Sequence, residues 1–296
     1  MGKSINNLIH FIFIIVQLLL YITFIVLDLS GGKADLSNAI KFTTIFLCFC
    51  YVLPSQSHNR SISYSLKAAM LFTLISDLFI LLLDYYLYGV LTFIVVQLLY
   101  NYRISVHNTL HIYNSAKNAG DKALSKDVSS EIVDGKAFSD IGDKAISVLT
   151  SKIFISRLII QLIISACICF LLVFLGVKLV PLLIAASVYF TGLLINTARA
   201  LAAAKKESGD ISMKLFAAGL LLFLLCDINV GLFNLSSFIK LPQDIYFILY
   251  NISSVLMWFF YAPSQTLIAL SADMTKKGYF CLHRMGKPGK ERNKII

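Results

Sequence analysis

Charged side chains are scarce in this sequence, at 14% of 296 residues, against about 25% in a water-soluble domain. Hydrophobic residues make up 58%, where a soluble domain holds roughly 45–50%. A protein folded in water has too little interior at this size to hide so much apolar surface. The chain also lacks a cysteine framework. Of its six cysteines, Cys48, Cys50, Cys167, Cys169 and Cys226 fall in apolar runs and Cys281 falls in the basic tail. Cys-x-Cys on a helix points the two thiols about 200° apart, which excludes a metal shared by either pair. Small, soft packing residues is the better reading of them. The net charge of +10 comes without a folded basic domain, so it implies anionic lipid head groups and no nucleic acid. Neither a Gly-rich phosphate loop nor Gly-x-Ser-x-Gly is present. His107-x-x-x-His111 has zinc-pair spacing but lacks the Glu of His-Glu-x-x-His, and no metal or cofactor is expected.

What is present is a series of long apolar blocks, at about 5–28, 38–54, 66–88, 89–104, 155–176, 178–200, 213–234 and 243–272. A bilayer core of about 30 Å takes ~20 apolar residues in a helix. The third and fourth blocks together would make a helix about twice that thickness, so a tight hairpin with its turn near Tyr88-Gly89 is expected. Charge tests the count independently. With the loops numbered alternately from an inside N-terminus, 22 of the 26 basic residues fall inside, leaving Lys33, Lys41, Lys178 and Lys240 outside. Positive residues favour the cytosolic side of short loops. The prediction is an all-α membrane protein, an eight-transmembrane-helix bundle with both termini in the cytosol. The first helix is expected to be an uncut anchor, since its apolar run is too long for a cleaved signal. A bacterial inner or plasma membrane, or the endoplasmic reticulum or a similar membrane in a eukaryote, would hold it.

The organisation expected is helices 1–4 over 1–104, a mobile or weakly helical cytosolic linker over 105–152, helices 5–8 over 153–274, and a basic cytosolic tail over 275–296. The two four-helix halves look alike. Leu74-Ile75-Ser76-Asp77 in the third helix matches Leu224-Leu225-Cys226-Asp227 in the seventh, each after a small-residue, Phe-containing approach. Four helices per half give both copies one orientation, which implies a parallel repeat about an axis along the membrane normal.

Asp77 and Asp227 are acids inside apolar helices, about 15 and 21 Å from helix starts near Lys67 and Met213. An ionisable group at such depth costs at least ~2.5 kcal/mol and normally faces a bundle interior or wet cavity. Facing one cavity, two of them titrate as a coupled pair. Other polar groups fall at similar depth. Gln97 and Tyr100 share a face of the fourth helix. Tyr189 is mid-helix six with Asn196 two turns towards the cytosol, and Tyr261 and Gln265 share a face of the eighth, around Pro263. Lys41 and Asp84 are expected to pair in an outer vestibule. A single buried Tyr or Gln more often serves as polar glue between helices, but two mid-membrane carboxylates read as a site. Proton-coupled transporters use such acids too.

These residues resemble the YhhN family of membrane-bound lysoplasmalogenases. The family's Lys-Pro-Leu-Thr-Thr stands here as Lys41-Phe42-Thr43-Thr44, and its Gly-Asp-x-x-Leu as Ser76-Asp77-Leu78-Phe79-Ile80. Its Gly-x-x-x-Phe and His-x-x-Tyr are similar to Gly89 to Phe93 and Gln97-Leu98-Leu99-Tyr100. Its second-half Tyr, Ser-Asp and Tyr-x-x-x-Gln are matched by Tyr189, Cys226-Asp227 and Tyr261 to Gln265. The likeness covers roughly residues 38–104 and 178–272, with Phe42 in place of Pro and Gln97 in place of His. It implies hydrolysis of the vinyl ether of a lysophospholipid substrate, a lysoplasmalogen, to a fatty aldehyde and a glycerophospho-alcohol. Asp77 and Asp227 would be the acid/base pair. Gln97, Tyr100, Tyr189, Asn196, Tyr261 and Gln265 would orient substrate or water, and Lys41 would meet the phosphate, with no metal. A catalytically inactive lipid-binding relative would keep the fold without the chemistry.

Overall fold

The structure, a computed structural model, describes the backbone of residues 2–55, 60–124, 135–206, 209–237 and 242–272. Lys240, the middle of the linker and the basic tail with Cys281 lie outside the described residues. Eight helices run through the described residues, with no strand among them. They are α1 (Gly2–Leu29), α2 (Ala34–Val52), α3 (Arg60–Asp77), α4 (Tyr86–Leu124), α5 (Gly135–Phe174), α6 (Pro181–Lys206), α7 (Ile211–Phe233) and α8 (Gln243–Leu270). All eight contain a stretch long and apolar enough to cross a membrane.

Burial sorts the helices. In the spans of α1 and α5 only 11% of residues are buried within the protein, against 56% in α4. The first and fifth helices are therefore the most apolar and the most lipid-facing, while α4 is a central strut. Lower hydropathy in α2 follows from Ser37, Lys41 and Thr44, which it turns inward. The linker is more helical than its composition suggests. Residues 105–124 continue α4 and 135–152 continue α5 beyond the apolar stretch, because hydropathy marks the edge of the lipid and not the end of the helix.

The α3–α4 hairpin also differs from expectation. After Asp77 the helix widens into a π-helical turn, Leu78–Leu82, and the reversal occupies residues 83–85. Asp84 takes the left-handed conformation at φ 56°, which Asp tolerates better than most residues. The Tyr85 amide then reaches back to the Phe79 carbonyl at 2.8 Å. Gly89 lies inside α4, not in the turn. There the Ser76 hydroxyl donates to the Gly89 carbonyl at 2.6 Å, and a Cβ at Gly89 would meet Ile80 Cγ1 at 2.4 Å.

The packing of the halves is unchanged when they are exchanged. Within them α1 packs on α2 as α5 does on α6, α2 on α3 as α6 on α7, and α3 on α4 as α7 on α8. Between them α2 packs on α8 as α6 does on α4, and α1 on α8 as α5 on α4. Both first helices end in the same way, with Gly31 and Gly176 at positive φ and a backbone bond five residues back, Gly32 to Leu27 and Val177 to Leu172, each 2.9 Å. The Asp77 and Asp227 positions match as well, 17 residues after Arg60 and 16 after Ile211. Since α3 starts at Arg60, Asp77 lies deeper than the count from Lys67 implied.

Candidate functional site

Asp77 is 3% exposed, at the junction of α3 and the π-helical turn. Wide turns of this kind recur at functional sites because they displace the helix face locally. The Tyr261 hydroxyl, from α8, donates to Asp77 Oδ1 at 2.9 Å and Oδ2 at 2.7 Å. Pro263 lies two residues on and deprives the Phe259 carbonyl of its usual partner. That carbonyl accepts from the Tyr21 hydroxyl of α1 at 3.1 Å, so α8 runs on as a helix through the proline.

Asp227 is the counterpart in α7. It is half-buried, and the Tyr189 hydroxyl of α6 lies beside it. No hydrogen bond of good geometry joins them, and both the Tyr189 hydroxyl and Asp227 Oδ2 are buried without a partner. The ring of Phe223 stands between the two tyrosines, 5.5 Å from Tyr261 and 6.4 Å from Tyr189. Phe93 closes the group at 5.5 Å from Tyr189 and 5.6 Å from Phe223. Both carboxylates lie close enough to the Cys226 thiol to act on it electrostatically.

The remaining sequence-predicted residues divide by level. Gln97 is pinned by Asn196, whose Nδ2 donates to the Gln97 carbonyl at 2.8 Å and to its Oε1 at 3.0 Å. Gln97 Nε2, the Tyr100 hydroxyl and Gln265 Oε1 are buried without partners, and Tyr100 sets its ring edge-on to Phe216 at 5.2 Å. Buried polar groups normally find partners. These unpartnered atoms belong to residues of α4 and α8, the helices that also carry Arg103 and Tyr261. Lys41 does not pair with Asp84. Its Nζ binds Asp28 Oδ2 at 2.8 Å, and the Ser37 hydroxyl donates to the other Asp28 oxygen at 2.5 Å. Asp84 instead accepts from Tyr86 at 3.3 Å, since the reversal at 83–85 carries it away. Lys41 Nζ also sits 4.7 Å from the Trp258 ring, which is 5.4 Å from Tyr261.

Asp28, Trp258 and Phe223 are parts that sequence reasoning missed. Asp28 passed as the polar end of an apolar helix. Trp258 had a signal, being the one tryptophan in the chain and a turn before Tyr261. Nothing in the spacing of Phe223 singles it out among 22 phenylalanines. At the opposite end His107 Nε2 pairs with Asp210 Oδ2 at 2.9 Å. Burial pushes the Asp210 carboxyl up, but its bonds to His107 and to the Met213 and Ser212 amides outweigh that and hold it below the usual carboxylate range. Among the described residues no group of three or more metal-ligating side chains converges. A shallow cleft of about 360 Å³ at the start of α8, lined by Gln243, Asp244, Phe247 and Ile248, lies about 20 Å along that helix from Tyr261. Comparison with protein-family models, curated proteins and solved structures returns no match.

Proposed function

We propose that this chain is a membrane-embedded hydrolase of the lysoplasmalogenase type, cleaving the vinyl ether of a lysophospholipid. The observation that carries the reading is the pair of interior carboxylates, one from each half, each beside a tyrosine hydroxyl and separated by an aromatic wall. Enol ether hydrolysis needs a proton delivered to the outer vinyl carbon, a stabilised oxocarbenium at the carbon bonded to oxygen, and water added there. The hemiacetal then collapses to an aldehyde and an alcohol. Asp77, with both oxygens accepting from Tyr261, is suited to face the cation as a carboxylate. Asp227, whose Oδ2 is buried without a partner, is suited to deliver the proton as the acid. Gln97 stands where the resembled family has His, and its link to Asn196 fits an orienting role for it, with proton transfer left to the acids.

A second reading, a proton-coupled transporter, draws on the exchangeable packing of the halves, which is how parallel repeats rock around a central site. The two part on one experiment. Purified protein is incubated with a 1-alkenyl lysophospholipid and aldehyde is followed. Release that disappears in Asp77→Asn and Asp227→Asn, with the fold intact, supports the hydrolase. Folded protein that releases no aldehyde and carries a proton-coupled solute flux in liposomes overturns it.

A further inference from the structure

Among the described residues Lys41 and Arg103 are cations almost wholly buried in the bundle, and of the two Lys41 alone forms a direct ion pair. Lys41 is held by Asp28 at 2.8 Å. Arg103 of α4 is 3% exposed, and its guanidinium carbon sits 4.2 Å from the centre of the Phe216 ring. Its Nη1 is buried without a partner. The nearest acid that acts on it, Asp210, has its oxygens engaged by His107 and the Met213 amide. A buried charge without compensation costs several kcal/mol, and an arginine at a membrane edge normally snorkels to water instead. With the ring against one side of the guanidinium, Nη1 keeps a buried donor for an incoming acceptor. A guanidinium is the group that grips a phosphate or carboxylate through two parallel bonds. One helical turn deeper on the same side of α4, the Tyr100 hydroxyl is buried beside Thr73 without a hydrogen bond of good geometry.

We propose that Arg103, with Tyr100 above it, forms an anion site at the basic end of the bundle and holds the phosphate of a lysolipid. Arg103 lies 17 residues from the start of α4 at Tyr86, and Phe216 lies 5 from the start of α7 at Ile211. The site therefore sits about 8 Å inside the end that charge assigns to the cytosol. The tail would then run inward past Tyr100 and Gln97 towards Asp227. This moves the phosphate from Lys41, where the resemblance would put it, to the buried cation that has no direct ion pair. The identity of the lipid rests on the hydrolase reading; the anion site itself does not.

Thermal unfolding in detergent tests it with three probes. They are a 1-acyl lysophospholipid, whose ester chain has no vinyl ether to cleave, the monoacylglycerol of the same chain, and inorganic phosphate. The lysophospholipid raises Tm in proportion to the logarithm of its concentration, and the monoacylglycerol does not. Inorganic phosphate acting alone identifies a free-anion site, and lysophospholipid acting alone a head-group site. In either case Arg103→Met removes the shift, and Arg103→Lys, which keeps charge but loses the fork, weakens affinity by about tenfold. An unchanged affinity in Arg103→Lys overturns the proposal even where Arg103→Met does not fold. So does a full shift in Arg103→Met, or no shift with any probe. Binding through Arg103 without aldehyde release from the alkenyl lipid would remove the hydrolase and leave the anion site standing.

Discussion

The Tyr261 hydroxyl reaches both oxygens of Asp77 across 184 residues of sequence. A bond from the eighth helix to the third makes Tyr261 a positioning residue for Asp77. Under the proposed hydrolase function, Tyr261→Phe is expected to lower kcat for aldehyde release by about 10- to 100-fold with KM little changed. Asp77→Asn is expected to lower it by about a thousandfold. If Tyr261 acts through the acid, the phenylalanine change has little further effect in the Asp77→Asn background. Additive losses would show that it acts on substrate instead.

Lys41 and Asp28 form a pair of which one member is deeply buried. Asp28→Asn strands the buried ammonium and is expected to cost about 3 kcal/mol of stability. Adding Lys41→Met should recover most of that loss. Denaturant titration of the single and double variants measures the coupling, and equal instability in both would contradict it.

At Gly219 helices α7 and α8 touch backbone to backbone. An added Cβ would meet Ile268 Cγ1 at 2.7 Å and the Ser264 carbonyl at 2.9 Å. Gly219→Ala should therefore destabilise by about 1–2 kcal/mol despite the better helix propensity of alanine. Gly231, in the same helix, has nothing within 4 Å of its would-be Cβ. Gly231→Ala should stabilise by about 0.5–1 kcal/mol. Thermal unfolding of the two variants in one detergent gives opposite signs.

Asp210 caps α7 through the Met213 amide at 3.0 Å and pairs with His107. Its carboxyl is held below the ordinary range in the folded protein. The stability it contributes is therefore present above its unfolded value and lost as pH falls through the folded one. Wild type should exceed Asp210→Asn in stability near neutrality, and the gap should close below about pH 4. A gap that does not change with pH would leave only the capping bond.

Much of the architecture was legible before the structure, for physical reasons. Lipid imposes a length on every apolar run, and the alternation of Lys and Arg between loops gave the count a second test. Asp77 and Asp227 stood out because acids at that depth are costly. What could not be read was which polar group meets which. Lys41 was assigned Asp84 on depth alone. A helix reversal with one left-handed residue turned that acid away, and Asp28, at the end of a different helix, took its place. Tyr261 was grouped with Gln265 by spacing along α8, whereas its partner lies across the bundle. Arg103 is one of the 22 basic residues on the inside, and nothing in a one-dimensional pattern says that its Nη1 is covered and without a partner.

The exchangeable packing has a consequence for how the molecule is made. The fourth helix of each half rests on the second helix of the other, so neither half is complete by itself. A ribosome threading the chain into the bilayer delivers Asp77 with α3, while Tyr261 arrives only with the last span, Gln243–Leu270. For most of synthesis the acid waits in lipid without its hydroxyl. The contact between Tyr261 and Asp77 thereby forms only once α8 is in place, and a chain truncated before α8 would enter the membrane and never make it.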